Sequence, residues 1–477
     1  MKPQLIGGQW VASNDHLPNI NPSDTREVVG VYGQADGAQV ANAVAAATEA
    51  FPKWSRGSIQ QRAEILDAVG TEILGRASEL GRLLASEEGK TLPEAVGEAT
   101  RAGQIFKFFA GEALRITGDA VRSVRPEVDV TVTREPVGVV GLITPWNFPI
   151  AIPAWKAAAA LAYGNTVVLK PAELTPGCAW ALAEIIHRAG APDGVFNLIM
   201  GPGSVVGAAL AEDARVAAVS FTGSTTTGAR VGQACMARNA RVQLEMGGKN
   251  PLVVLDDADI DIAVECAVNG AYYSTGQRCT ASSRLIVTEG VHDRFVAALA
   301  ERVRALVVGH ALESGVQVGP VVDQRQLDID CDYIEIGRRE GARLLAGGKR
   351  VDRETPGHYL SPALFVDVDN SMRIAREEIF GPVAAVIRVR DFDQALEVAN
   401  DTPYGLSAGI CTRSLKFATA FRRDVRAGMV MVNLPTAGVD PHVPFGGTRG
   451  SSHGPREQGR YAADFYTAVK TAYAFAG

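Results

Sequence analysis

Val139-Val140-Gly141-Leu142-Ile143-Thr144 opens the part of the chain that decides the fold. Its unbroken apolar run reads as a strand buried on both faces. Residues 152–163 then read as a helix, Thr166-Val167-Val168-Leu169-Lys170 as a second buried strand, residues 175–189 as a helix, and Ala217-Ala218-Val219-Ser220-Phe221 as a third strand. Continuous apolar strands separated by helices predict a parallel sheet covered on both faces. Pro251-Leu252-Val253-Val254-Leu255 begins a second such series, with strands near 284–287 and 384–388 and helices near 291–307 and 391–400. A domain boundary near Lys249 follows. Upstream, residues 37–86 and 91–116 carry the periodicity of amphipathic helices. Glu127-Val128-Asp129-Val130-Thr131-Val132-Thr133-Arg134 alternates instead and reads as a half-exposed strand, to be paired by another chain or by a distant C-terminal segment. The Gly/Ser-rich residues 446–459 read as a long ordered loop.

At 477 residues the chain calls for two or three domains. Its 47% hydrophobic and 21% charged content is that of a globular enzyme, and a net charge of −6 gives no support for binding nucleic acid or an acidic membrane. The six cysteines are scattered, with no C-x-x-C pair, as in a reducing cytoplasm. No H-x-x-x-H pattern marks a metal site, so none is expected. No signal peptide is read at the N-terminus, and no apolar run is long enough to span a bilayer. A cytoplasmic location is the expectation.

Three short runs carry the chemistry. Gly276-Gln277-Arg278-Cys279-Thr280 presents a thiol in a loop of small residues, and Glu245-Met246-Gly247-Gly248 presents a carboxylate beside a glycine pair. Covalent catalysis through sulfur needs both: Cys279 to attack and Glu245 to activate the water that releases product. Thr144-Pro145-Trp146-Asn147-Phe148-Pro149 offers the Asn147 amide to a developing oxyanion. A dinucleotide site wants phosphates at a helix N-terminus after a strand. The usual G-x-G-x-x-G is absent, but Phe221-Thr222-Gly223-Ser224 follows an apolar strand and opens a helix. Lys170 and Glu173 stand at another strand's end and can hold ribose hydroxyls, with Gly203 in a turn near the adenosine. A cysteine hydrolase is the other class that a thiol nucleophile permits, but no histidine base accompanies Cys279 in these runs. A catalytically silent relic of the scaffold would have no need of all three groups.

Taken together, the runs resemble the aldehyde dehydrogenase superfamily along essentially the whole chain. The resemblance rests on TPWNFP at 144–149, KPAE at 170–173, FTGS at 221–224, EMGGKNP at 245–251, GQRCT at 276–280, EEIFGPV at 377–383 and PFGG at 444–447. It implies an α/β fold of two parallel-sheet domains: a Rossmann-like cofactor domain (1–118 and 138–248) and a catalytic domain (249–445). A small β oligomerisation arm (119–137 and 460–477) completes it, with a homodimer or homotetramer expected. It implies that Cys279 forms a thiohemiacetal and then a thioester, with Asn147 at the oxyanion and Glu245 as the base. Lys156 and Glu457 match a lysine and glutamate near that base. Pro455, inserted beside Glu457, departs from the commonest family form. Thr144, Trp146, Lys170, Glu173, Gly203, Phe221, Gly223, Ser224, Glu378 and Phe380 match cofactor contacts. NAD is expected, with NADP the alternative: Glu173 would repel a 2′-phosphate and Lys170 attract one.

The finer resemblance, in TGQRCTASSRLIV at 275–287, NLPTAGVD at 433–440 and SSHGPREQG at 451–459, is to α-ketoglutaric semialdehyde (2,5-dioxopentanoate) dehydrogenases. Such a substrate carries a carboxylate far from its aldehyde, so Arg278 and Arg101 are its expected anchors. Phe148, Trp155 and Phe445 would supply aromatic walls. Many succinic semialdehyde dehydrogenases place an arginine where this chain has Trp155. Succinate semialdehyde and simple aliphatic or aromatic aldehydes stand as the alternative substrates.

Overall fold

The computed structural model describes every residue except Ala476, which falls within the expected arm. The first sheet has eight strands in the spatial order Ser452–His453, Arg241–Glu245, Val216–Thr222, Val139–Ile143, Thr166–Lys170, Phe196–Leu198, Gln4–Ile6, Gln9–Val11. Its five central strands are parallel, and antiparallel strands close both edges. The chain begins this parallel core at Val139–Ile143 and adds Thr166–Lys170 and Phe196–Leu198 on one side. It then returns to add Val216–Thr222 and Arg241–Glu245 on the other. The strand order therefore reverses between Val139–Ile143 and Val216–Thr222, and ligands bind open α/β sheets at the carboxyl ends beside such a point.

The second sheet has seven strands, Arg343–Ala346, Ala363–Val366, Val383–Val389, Arg284–Thr288, Pro251–Val254, Ser407–Cys411 and Met429–Val432. All its pairings are parallel except that of Arg343–Ala346 with Ala363–Val366. The chain passes from the first sheet to the second between Glu245 and Pro251, the segment that holds the glycine pair. Both sheets are buried on both faces, which is why their strands lack polar alternation. Every residue of the helix Ala151–Ala162 is buried too. Its alanines let the sheet and the helix Leu92–Ala113 approach from both sides.

A third sheet joins Thr467–Phe475, Val128–Pro136 and Asp119–Arg122. The alternating strand is thus paired within the chain, by the distant C-terminal segment, from Thr467 opposite Pro136 to Phe475 opposite Val128. Asp15–Ile20 and Val28–Gln34 form a separate hairpin. The region 37–86 is divided into three helices, Gly37–Ser55, Ile59–Gly75 and Ala77–Glu88. Gly57 interrupts the first run, and the Ser58 hydroxyl caps the second by accepting the Gln61 N–H. The third overruns residue 86 and stops at Gly89, whose φ of 95° only glycine takes without strain. The next helix ends at Ala113, short of residue 116. Among the described residues no helix is long and apolar enough to cross a membrane.

Candidate active site

The motif residues gather around the strand reversal. Thr144 follows Val139–Ile143, is buried, and has a hydroxyl with no partner among the described residues. Across the reversal, Phe221 lies in the strand Val216–Thr222, and Ser224 caps the helix Thr225–Ala237 by accepting the Thr227 N–H. Gly223 donates its N–H to the Glu245 carbonyl, and a Cβ there would stand 2.6 Å from the Phe221 ring. Ser224 is exposed at the positive end of that helix, where an anion is favoured. On the neighbouring strand the buried Lys170 ammonium stands 3.8 Å from the Glu173 carboxylate, and burial lowers its pKa. Glu173 also accepts the Gly203 N–H at 2.8 Å, so Lys170, Glu173 and Gly203 form one polar corner. Trp146 meets Phe380 edge to face at 5.3 Å. Phe380 takes a φ of 67°, which a bulky residue holds only under constraint. Glu378 accepts the Gly248 N–H, and burial pushes its carboxyl up to about 7.

The Cys279 loop is strained and pinned. Ser274 and Thr275 both have positive φ, 50° and 57°, and both are buried. Glu94 accepts from the Ser274 N–H and hydroxyl, and the Thr275 hydroxyl donates to the Gly319 carbonyl. A Cβ on Gly276 would lie 2.2 Å from the Gly381 carbonyl, so only glycine lets the Cys279 loop touch the loop that carries Phe380. Asn250 donates from one amide to the carbonyls of Cys279 and Ala281, while its oxygen accepts the Ser407 N–H. Cys279 itself stays partly accessible. Burial pushes its thiol up to about 12, Glu378 and Glu245 add to the rise, and the N–H groups of Cys279 and Thr280 oppose it.

The Asn147 amide donates to the Gln277 carbonyl at 2.9 Å, which turns its nitrogen toward the Cys279 loop and leaves its second hydrogen uncommitted. Glu245 ends the strand Arg241–Glu245 and accepts the Ser452 hydroxyl at 2.6 Å. Gly446 passes so close that a Cβ would stand 2.8 Å from the Glu245 carboxylate. Burial raises the Glu245 carboxyl well above its ordinary range, and Glu457 raises it further. Lys156 is fully buried and pairs with Glu457, despite the inserted Pro455. Ser220 links both to Gln243, so a buried chain Lys156–Glu457–Ser220–Gln243 lies behind Glu245.

The two arginines differ. Arg278 is spent: its guanidinium pairs with Glu94 at 3.0 Å and leans on Asn269 at 3.4 Å. The geometry thus corrects the expectation that it is free to hold a substrate carboxylate. Arg101 is half-buried and forms no ion pair among the described residues. It donates to the Gln458 side-chain oxygen at 3.4 Å, and its Nε has no partner among the described residues. Phe445 packs in the small cluster that includes Cys279, and Trp155 lies 5.5 Å from the Phe445 ring. Phe148 lies beneath the Lys90 ammonium, 3.9 Å from its ring centre.

The aldehyde dehydrogenase family model matches residues 10–472. The chain belongs to the aldehyde dehydrogenase family. An α-ketoglutaric semialdehyde dehydrogenase of Bacillus subtilis is 45% identical over 98% of this chain and 97% of its own length. An α-ketoglutarate semialdehyde dehydrogenase of Haloferax volcanii is 46% identical over 98% of each chain. Among solved structures, a betaine aldehyde dehydrogenase of Staphylococcus aureus in complex with NAD+ superposes with a TM-score of 0.97 at 33% identity, covering 100% of this chain and 95% of that one. An NAD-dependent aldehyde dehydrogenase of Sinorhizobium meliloti also reaches 0.97, at 37% identity and the same coverage.

In this aldehyde dehydrogenase the sequence runs miss a brace beneath Asn147. The buried Lys90 ammonium donates at 2.7 Å both to the Asn147 carbonyl and to Glu98. Glu98 in turn accepts the N–H groups of Ile150 and Ala151, which open the helix Ala151–Ala162. Burial works against the Lys90 charge, but Glu88 and Glu98 outweigh it and raise its pKa. Glu94 and Glu98 lie on one helix, so a single element fixes both the Asn147 loop and the Cys279 loop. Only the i, i+4 spacing hints at this in the sequence. Lys90→Met strands Glu98 as an unpaired buried charge, and a loss of about 3–5 kcal/mol is expected in urea unfolding. Adding Glu98→Gln to that variant restores part of the loss. A double variant no more stable than Lys90→Met would refute the brace.

Proposed function

We propose that the chain oxidises α-ketoglutaric semialdehyde to the dicarboxylate with NAD, through a covalent intermediate on Cys279. The observation that carries the reaction is the convergence of three groups: a partly accessible thiol in a pinned loop, an amide turned toward that loop, and a buried carboxylate whose charge reaches the sulfur. The Cys279 thiol releases its proton to solvent as its sulfur adds to the aldehyde carbon. The Asn147 amide and the Cys279 N–H receive the developing oxyanion, neutral donors that do not oppose loss of hydride. NAD, when bound, supplies the hydride acceptor. Glu245 then takes a proton from the water that hydrolyses the thioester. Ser452 holds one oxygen of Glu245, while Lys156 balances the charge of Glu457 behind it.

The residues at the strand reversal suit a dinucleotide. The Thr144 hydroxyl, unpartnered among the described residues, and the Ser224 helix end offer donors for phosphates. The Lys170–Glu173–Gly203 corner suits ribose hydroxyls, and the Glu173 carboxylate there disfavours a 2′-phosphate. Phe380 and Glu378 would border the nicotinamide half. The relatives from Bacillus and Haloferax support the semialdehyde, and Arg101 supplies the cation that its carboxylate needs. The arm strand Thr467–Phe475, with Val469, Tyr473 and Phe475 exposed, supports a homodimer or homotetramer.

The test is a comparison of kcat/KM for 2,5-dioxopentanoate, succinate semialdehyde and pentanal in the wild type and in Arg101→Met. The variant is expected to lose about 100-fold on 2,5-dioxopentanoate, as when one partner of a buried charge pair is removed, and to keep its rate on pentanal. Equal losses on all three aldehydes would defeat the carboxylate reading.

A further inference from the structure

Gln458 belongs to no motif run that assigns a role, yet its geometry is unusual. Its φ of 61° and ψ of 169° lie in a region that is essentially glycine-only. Neighbours on both sides hold it there. Glu457 exchanges both backbone hydrogen bonds with Phe445, at 2.7 and 2.9 Å. A Cβ on Gly459 would stand 2.5 Å from the His442 carbonyl. The side chain is buried and touches Arg101. A guanidinium can only donate, so the Gln458 oxygen must face it and the Gln458 NH2 must face away. That NH2 and the Arg101 Nε are both buried donors with no acceptor among the described residues. Glu98 and Asp440, the carboxylates whose charge Arg101 feels, form no ion pair with it among the described residues. Donors left this way are costly unless something arrives to accept from them.

The site lies one residue beyond the Phe445 wall that packs against Cys279. We propose that Gln458 and Arg101 form a two-part seat for the 2-oxo acid end of the substrate, Arg101 taking the carboxylate and the Gln458 NH2 taking the 2-oxo oxygen. This rests on the semialdehyde reading above and adds to it a residue that discriminates a 2-oxo acid from a plain ω-oxo acid of the same length. The amide is pre-oriented by Arg101 and the backbone by its neighbours, so the donor need not be ordered on binding. A substrate lacking the oxo group leaves it unpaired.

The experiment compares kcat/KM for 2,5-dioxopentanoate, glutarate semialdehyde (5-oxopentanoate) and pentanal in wild type, Gln458→Met and Gln458→Gly. The glycine variant accepts this backbone without strain, so it keeps the test valid if the methionine variant misfolds, and pentanal turnover reports an intact catalytic centre. The wild type is expected to favour 2,5-dioxopentanoate over glutarate semialdehyde by about ten- to a hundred-fold, the range for a buried donor left unpaired. Both variants are expected to lose that preference through KM for the 2-oxo acid, with glutarate semialdehyde and pentanal unchanged. An unaltered ratio of the two acids in both variants, or an equal fall on all three aldehydes, overturns the Gln458 assignment and leaves the semialdehyde reading standing. A wild type that does not prefer either acid to pentanal overturns both.

Discussion

Cys279→Ala is expected to lower kcat/KM for every aldehyde by about 10⁴-fold or more, because the proposed covalent step loses its nucleophile. The fold should survive. The loop is held by contacts that the substitution leaves alone: the Cys279 carbonyl to Asn250, Ser274 to Glu94 and Thr275 to Gly319. Unfolding by urea should therefore move by no more than about 1 kcal/mol. Activity retained within tenfold would remove Cys279 from the mechanism. The same thiol carries a pH signature. Burial pushes it up to about 12, so the free enzyme holds it protonated at neutral pH. Below that value the thiolate fraction grows about tenfold per pH unit, and alkylation of Cys279 by iodoacetamide should rise in parallel from pH 7 to pH 10. A plateau near pH 8 would show that some group holds the sulfur as a thiolate in the resting enzyme.

Glu245→Gln should separate the two halves of the reaction. The amide keeps the shape of the side chain and can still meet the Ser452 hydroxyl, but it cannot take a proton from water. Acylation should proceed and deacylation stall, giving one equivalent of NADH per site in a burst. Steady-state turnover should then fall by about 10²–10⁴-fold, the range of general-base contributions. The thioester should be visible as a mass increase on Cys279 after quenching. Steady turnover with no burst and no adduct would mean that another group activates the water. The wild-type pH dependence follows from the same environment. Burial and Glu457 raise the Glu245 carboxyl above its ordinary range, so it works as a base only once deprotonated. The deacylation rate should climb as pH rises through that raised value, and fall on acidification.

Much of this was legible because it is local. A buried parallel strand needs an unbroken apolar run, and such runs showed the strands Val139–Ile143, Thr166–Lys170 and Pro251–Val254 without any coordinates. The division of residues 37–86 into three helices was also written locally, in Gly57 and the Ser58 cap, but helical periodicity ran across it. The strand Arg241–Glu245 is harder to see. Its polar ends flank a short core, and it lies next to the two-residue edge strand Ser452–His453, whose pairing nothing nearby announces.

The sequence by itself held the elements of the proposed chemistry: a thiol loop, a carboxylate beside paired glycines, an amide in a proline-flanked turn, and strand ends able to receive a dinucleotide. Each is a short run whose residue types are required by the reaction. Tertiary structure alone decided which charges are free. Arg278 adjoins Cys279 in sequence, yet it is consumed by Glu94, 184 residues away. Arg101 and Gln458 are separated by 357 residues and nevertheless meet with unspent donors. The physical reason is that a guanidinium's availability is set by what surrounds it in space. Burial and the presence or absence of a carboxylate within a few ångströms are properties that no neighbouring residue in the chain encodes.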